Sequence, residues 1–208
     1  MDKILGDIVP ILIVLDVHDK VSLVAHDWGA LIGWSFYMTF PKMVDSLVAI
    51  SVGHPLSYLK LGGFEQRVKG WYTMAFQLEG FAEKLFSENN WAVFHTFTDN
   101  IPELDENWIP DLERPGRLTS AINWYRANLN PKYTANPTKI QNVFINVPVL
   151  GVYGTLNNYL SKAQMTNSKY FVRKKFSYVE IEGARHWIPI ECPEKLMQAI
   201  RSFYGTGN

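Results

Sequence analysis

The stretch Val21-Ser22-Leu23-Val24-Ala25-His26-Asp27-Trp28-Gly29-Ala30 constrains this chain more than any other. A run rich in β-branched residues stops at His26-Asp27. Gly29-Ala30 then open a segment, Leu31 to Phe40, whose pattern and length suit a helix ended by Pro41. Asp27 is therefore expected at a sharp strand-to-helix turn. Ala25 and Gly29 flank it at two residues on either side, where small residues let the backbone pass close to its neighbours. An acid in that place either caps the helix, the common case, or presents its carboxylate at the end of a buried strand.

The rest of the chain builds outward from this turn. Asp2 to Asp16 reads as a helix with Ile4, Ile8, Ile11, Leu12 and Leu15 on one stripe and Pro10 as a kink or start. Ser46 to Val52 reads as a second buried strand ending at Gly53-His54-Pro55, parallel to the first because a helix connects them. Helical segments follow at Glu65 to Gln77, Gly80 to Phe86, Trp91 to Thr98, Glu106 to Leu112 and Arg117 to Leu129. After a linker from Pro131 to Val147, strands are expected at Pro148 to Tyr153 and Phe176 to Ile181, and a last helix at Pro193 to Phe203. The expected architecture is an α/β core over 1–55 and 138–208 with a parallel sheet, and a helical lid inserted over 56–137. Ligands of such sheets bind beyond the carboxyl ends of the strands, which is where Asp27, His54, Gly154 to Asn158 and Gly183 to His186 fall.

Composition excludes several classes of partner. The 208 residues carry twenty basic and twenty acidic side chains, well mixed, so there is no basic tract for nucleic acid or an acidic membrane surface. Cys192 is the one cysteine, which rules out an internal disulfide and suits a reducing compartment. The longest apolar run, Ile8 to Leu15, is too short to span a bilayer and lacks a secretory cleavage pattern. A cytoplasmic protein is expected. No metal-ligand spacing or phosphate-cradling glycine loop appears, so no metal and no cofactor are expected. Aromatics at 14% suit an enclosed apolar pocket as well as a packed core.

A carboxylate at such a turn can attack an electrophilic carbon to form an alkyl ester. An imidazole held by a second acid then activates water to hydrolyse that ester. His186, after the final strand, is placed to be that imidazole. The motifs His26-Asp27-Trp28-Gly29-Ala30, Ser51-Val52-Gly53-His54-Pro55, Gly70-Trp71-Tyr72, Asn123-Trp124-Tyr125-Arg126-Ala127-Asn128 and Gly183-Ala184-Arg185-His186-Trp187 together resemble the soluble epoxide hydrolases of the α/β-hydrolase superfamily. The stretch around Asp27 is then a nucleophile elbow with a carboxylate in place of serine. The resemblance runs from the first helix to the last. It implies Asp27 as nucleophile, His186 as base, and Tyr72 and Tyr125 as donors to the oxygen of a small apolar epoxide. It also implies Trp28 N–H in an oxyanion hole, with the rings of Trp28, Trp71 and Trp187 lining a pocket that His26 and His54 flank. Haloalkane dehalogenases share the Asp-Trp pair but do not need the tyrosines, which tips the resemblance toward epoxides.

Two features depart from that pattern. The triad acid is expected in a Gly-x-x-Asp turn, and this chain reads Gly154-Thr155-Leu156-Asn157. An amide supplies no charge and favours the wrong imidazole tautomer; rescue would need a carboxylate such as Glu191 or Glu182 near His186. Relatives also carry several strands and a His-Gly-x-Pro loop before the elbow, with a second oxyanion donor. Nothing before Val21 matches them, so only the second half of the sheet is expected, with the elbow strand as an apolar edge that invites pairing with another chain or a homo-oligomer. The expectation is a truncated epoxide-hydrolase-like chain that is alkylated but turns over poorly. The alternatives are a dehalogenase-like hydrolase and a non-catalytic relative that keeps the pocket to bind ligands.

Overall fold

The computed structural model describes residues 2–131 and 144–205. Four strands, β1 (Val21–His26), β2 (Val44–Ile50), β3 (Val149–Gly154) and β4 (Phe176–Ile181), form a sheet in that order with every neighbouring pair parallel. Helical crossovers join them, which is what parallel neighbours require. All of β3 and all of β2 except Asp45 are buried, so both read as apolar runs rather than alternating ones. β4 and the final helix, Pro193–Tyr204, close a core of Val48, Ile50, Leu150, Val152, Ile181, Ala184, Ile188 and Leu196. Among the described residues β1 pairs with β2 alone and forms an edge, where Val24 is 54% exposed.

The first helix, α1 (Asp2–Val14), contains Pro10 and buries Leu5, while Ile11 and Leu15 of the expected stripe are exposed. The second, α2 (Trp28–Thr39), begins directly after Asp27 rather than at Leu31, and buries Ala30, Trp34, Phe36 and Tyr37. Its tight approach to the sheet is at Gly33, where a Cβ would stand 3.1 Å from Leu47; at Gly29 the nearest atom would be Ala25 Cβ at 3.9 Å. The small residue that close packing demands is therefore one turn later than the sequence pattern suggested.

The chain divides into two compact units, Met1–Lys69 with Thr138–Asn208, and Gly70–Pro137. The first boundary lies at Lys69/Gly70 rather than at 55/56, because helix Gly63–Lys69 is bonded into the sheet unit. Gln66 Nε2 donates to Tyr159 O at 3.1 Å, Ser161 N donates to Gln66 Oε1 at 2.9 Å, and Lys69 Nζ donates to Asn157 O at 2.7 Å. The second expected boundary, 137/138, and linker residues 132–143 lie outside the described residues.

The second unit is helical among its described residues. The helix expected from Glu65 to Gln77 breaks at Gly70 into Gly63–Lys69 and Trp71–Ala75. The two helices expected at Gly80 to Phe86 and Trp91 to Thr98 are both present within Phe81–Phe97, separated by a non-helical kink at residues 88–91 where Asn89, Asn90 and Trp91 are left-handed. Arg117–Asn128 follows a π-type turn, Leu104–Trp108, and a short helix, Ile109–Leu112. Arg126 joins these pieces: its guanidinium donates to both Glu83 oxygens, at 2.6 and 2.9 Å, and to Phe76 O at 2.8 Å.

At Gly154 a Cβ would stand 2.2 Å from Arg185 O and 2.5 Å from Ala184 O, so the loop before His186 fits only against a bare backbone. Gly154→Ala is expected to cost about 3 kcal/mol, the upper end for overpacking, whereas Gly29→Ala, with room available, leaves stability unchanged or raises it. Urea unfolding of the two variants checks the pair.

Candidate active site

Asp27 leaves β1 with φ 51 and ψ −120, a left-handed conformation that a non-glycine residue adopts only under constraint, at a cost of about 1–3 kcal/mol. Two bonds hold it there: Asp27 N donates to Ile50 O at 3.2 Å and Leu31 N to Asp27 O at 3.1 Å. The turn thus aims the side chain off the end of the sheet instead of into a cap; no side-chain cap bond forms on α2.

His186 reaches the same place from the loop after β4. It is buried, and its Nε2 lies 3.2 Å from Asp27 Oδ1. On the other side of the ring, Nδ1 lies 3.3 Å from Asn157 Nδ2. The orientation of the Asn157 amide follows from its other end: Oδ1 accepts the backbone N–H groups of Tyr159 and Leu160, both at 3.0 Å. Two donors require an oxygen there, so the NH₂ faces His186 and Nδ1 must be the acceptor. The neutral imidazole then carries its proton on Nε2 and donates it to Asp27. An aspartate at 157 would accept from Nδ1–H and leave the Nε2 lone pair for water; the amide reverses that polarity.

The backbone of His186 is held as firmly as its ring. Its carbonyl accepts from His26 Nε2 at 3.0 Å and from Ser51 Oγ at 3.1 Å. Ser51 is fully buried and left-handed, φ 68, and Gln164 bridges it by donating to Ser51 O at 2.9 Å and accepting from Gly53 N at 2.6 Å. Burial alone would raise the Asp27 carboxyl; the hydrogen bond from His186, the charges of His186 and His26, and the Trp28 N–H outweigh it and hold the carboxyl below its ordinary range. Burial, reinforced by repulsion from His186, pushes the His26 imidazole down to about 4 against the attraction of Asp27 and its bond to the His186 carbonyl. Asp27 is therefore an anion and His26 a neutral donor at neutral pH.

Trp187 lies edge-on to His186 with ring centroids 4.8 Å apart, and 5.8 Å from His26. His54 is fully buried and stacked on Phe171 at 4.3 Å. Trp71 is 54% exposed. In the second unit Tyr72 and Tyr125 pack edge-to-face at 5.7 Å beside Phe76 and Phe97. Neither suggested replacement acid serves His186: Glu191 accepts Arg185 N at 2.9 Å and pairs with its Nε at 3.2 Å, while Glu182 is exposed.

Three residues of the cluster were given no role in the sequence reading: Ser51, Gln164 and Tyr159, whose ring lies edge-on to His186 at 5.1 Å. Tyr58 is a fourth, its phenol pushed up to about 12 by burial and by the charge of Asp27. Among the described residues no group of three or more His, Cys, Asp or Glu could hold a metal, and no helix is long and apolar enough to cross a membrane.

Residues 14–193 match the family model of the alpha/beta hydrolase fold. The chain is 29% identical to epoxide hydrolase 1 of Caenorhabditis elegans, over 98% of this chain and 52% of that protein. It is 28% identical to epoxide hydrolase 3 of Mus musculus, over 98% and 56%. The chain thus spans about half the length of the curated relatives it matches. Among solved structures, the epoxide hydrolase of Bacillus megaterium in complex with an inhibitor superposes with a TM-score of 0.77 at 19% identity, covering 98% of this chain and 75% of that one. The epoxide hydrolase of Vigna radiata gives 0.73 at 24% identity, covering 97% and 74%. These likenesses in structure establish the fold.

The lowered His26 titration makes stability depend on pH. Between its ordinary 6.5 and about 4 the unfolded chain holds a proton that the folded chain rejects, so stability rises with pH across that window and is lost on acidification. The loss by pH 4 is about 3 kcal/mol. His26→Gln, neutral throughout, is expected to flatten this part of the urea-unfolding profile.

Proposed function

The chain belongs to the alpha/beta hydrolase fold family, and from that premise we propose that it is an epoxide-hydrolase-like enzyme that forms an Asp27 ester and stalls there. Asp27 Oδ attacks a ring carbon, the carbon–oxygen bond opens, and the departing oxygen takes its proton from a phenol. Strain in the ring and a donor on the developing alkoxide lower that barrier together. The resemblance assigns the donation to Tyr72 and Tyr125, and the match to named epoxide hydrolases supports a small apolar epoxide as substrate.

The second half-reaction adds water to the ester carbonyl carbon. A base must take the water proton, a tetrahedral oxyanion forms, and its collapse expels the alkoxide, which recovers that proton from the protonated base as the diol; the proton left on the Asp27 carboxyl returns to the phenolate, restoring both groups. Trp28 N–H, which donates to the Asp27 carboxylate in the resting site, is the donor proposed for that oxyanion. His186 is the proposed base, and the observation that carries the reading is the Asn157 amide on its Nδ1 at 3.3 Å. With the proton on Nε2, no lone pair faces the ester. Accepting a proton would create an Nδ1–H aimed at another donor, so both neutral and charged forms of the ring are wrong for general-base catalysis. The comparable Asp-to-Asn change in a serine protease triad costs about 10⁴ in kcat.

Asn157 also suits a second reading, a relative that binds epoxide-shaped ligands without chemistry. Incubation with an epoxide followed by intact mass measurement and peptide mapping separates the two. The proposal expects a stable adduct on Asp27 that is absent from Asp27→Asn. Rapid diol release with no adduct, or neither adduct nor diol, contradicts it.

Asn157→Asp is expected to raise the rate of ester hydrolysis by about 10³–10⁴, so that the adduct disappears and diol accumulates. Glu191→Gln, at the nearby carboxylate tied to Arg185, is expected to leave that hydrolysis rate far less affected. Single-turnover assays of both variants check this.

A further inference from the structure

We infer that Ser51 is a positioning residue for His186, held in a strained backbone conformation so that its hydroxyl can fix the carbonyl of the catalytic loop. The inference rests on the reading of His186 as the base for ester hydrolysis. Ser51 is the first residue after β2, fully buried, with φ 68. Glycine fits that conformation without penalty, whereas serine does so only under constraint. Packing gives no reason for the side chain, since its one polar atom donates to His186 O at 3.1 Å.

The strain is imposed from both flanks. Ser51 N donates to Val152 O at 2.8 Å, extending the bonding of β2 to β3. Gln164, fully buried, closes the other side by donating to Ser51 O and accepting from Gly53 N. Gly53 must be glycine for this to work, because a Cβ there would stand 2.3 Å from Gln164 O. The kink therefore exists whether or not residue 51 bears a hydroxyl, and the hydroxyl turns it to use.

The His186 carbonyl receives two donors from two strand ends, Ser51 Oγ from β2 and His26 Nε2 from β1. Asp27 follows His26 directly, so the nucleophile and the imidazole are registered to each other through this carbonyl as well as through the 3.2 Å contact between their side chains. Loss of the Ser51 bond leaves that carbonyl with the His26 donor and lets the ring drift from both Asp27 and Asn157. A displacement of that kind costs one to two orders of magnitude in a positioned reaction.

Ser51→Gly separates positioning from folding, because it relieves the strained φ while removing the donor. The expected result is an unfolding midpoint equal to or above that of the parent, a shifted His186 imidazole signal by nitrogen NMR and, in the Asn157→Asp background where the ester turns over, hydrolysis slowed at least about tenfold with Asp27 alkylation unchanged. Ser51→Ala, which keeps the strain and loses the donor, is expected to lose stability and to show the same shift. Hydrolysis that falls only in proportion to stability, or a His186 signal unmoved in Ser51→Gly, overturns the inference. Absence of any Asp27 ester in the parent would instead refute the proposed function, and the His186 signal then decides the role of Ser51 by itself.

Discussion

The hydrogen bond from the Asn157 amide to His186 Nδ1 decides what every other group in the site is able to do. A buried imidazole has two nitrogens and one neutral proton, so a donor on one side obliges it to be a donor on the other. Asp27 is that other side. The carboxylate gains a hydrogen bond and remains ionised, as an attacking group should, but the same bond occupies the lone pair that a hydrolytic base would offer. On the proposed function, one amide in place of a carboxylate thus favours the first half of the two-step reaction and opposes the second.

The fold prepares this opposition with care for geometry. Three successive strand ends deliver Asp27, Ser51 and the turn to Asn157, and the loop after the fourth delivers His186. Parallel order places all of them on one edge of the sheet, and the glycines at 53 and 154 let the backbone segments approach within the width of a missing Cβ. Strain is concentrated where the chain leaves β1 and β2, at Asp27 and Ser51, both left-handed and both tied to neighbouring strands by backbone bonds. Such conformations persist only where the surroundings over-determine them.

Much of the sheet was legible in the sequence because β-branched runs bounded by glycine and proline have few other uses. Phe176 to Ile181 matches its expected limits, and the strand-to-helix turn at Asp27 was readable from the abrupt change after Ala25. Helix limits were harder, since they depend on contacts that sequence spacing does not encode. Gly63–Lys69 belongs with the strands because of where Gln66 and Lys69 find partners, and α1 buries Leu5 rather than the stripe that its period suggested. In the site, Asp27 and His186 were recognisable by residue type and place. Ser51 and Gln164 were not, because a serine gives no local hint of a left-handed backbone and a glutamine gives none of burial. Asn157 was visible as a substitution, yet the direction of its amide depends on Tyr159 N and Leu160 N, which only folding brings to bear.

The central claim is a statement about one proton, and nitrogen NMR of the His186 ring observes it directly. A protonated Nε2 and an unprotonated Nδ1 at neutral pH are the result this account predicts, with the pattern inverted in Asn157→Asp. A proton on Nδ1 in the unaltered chain would contradict it.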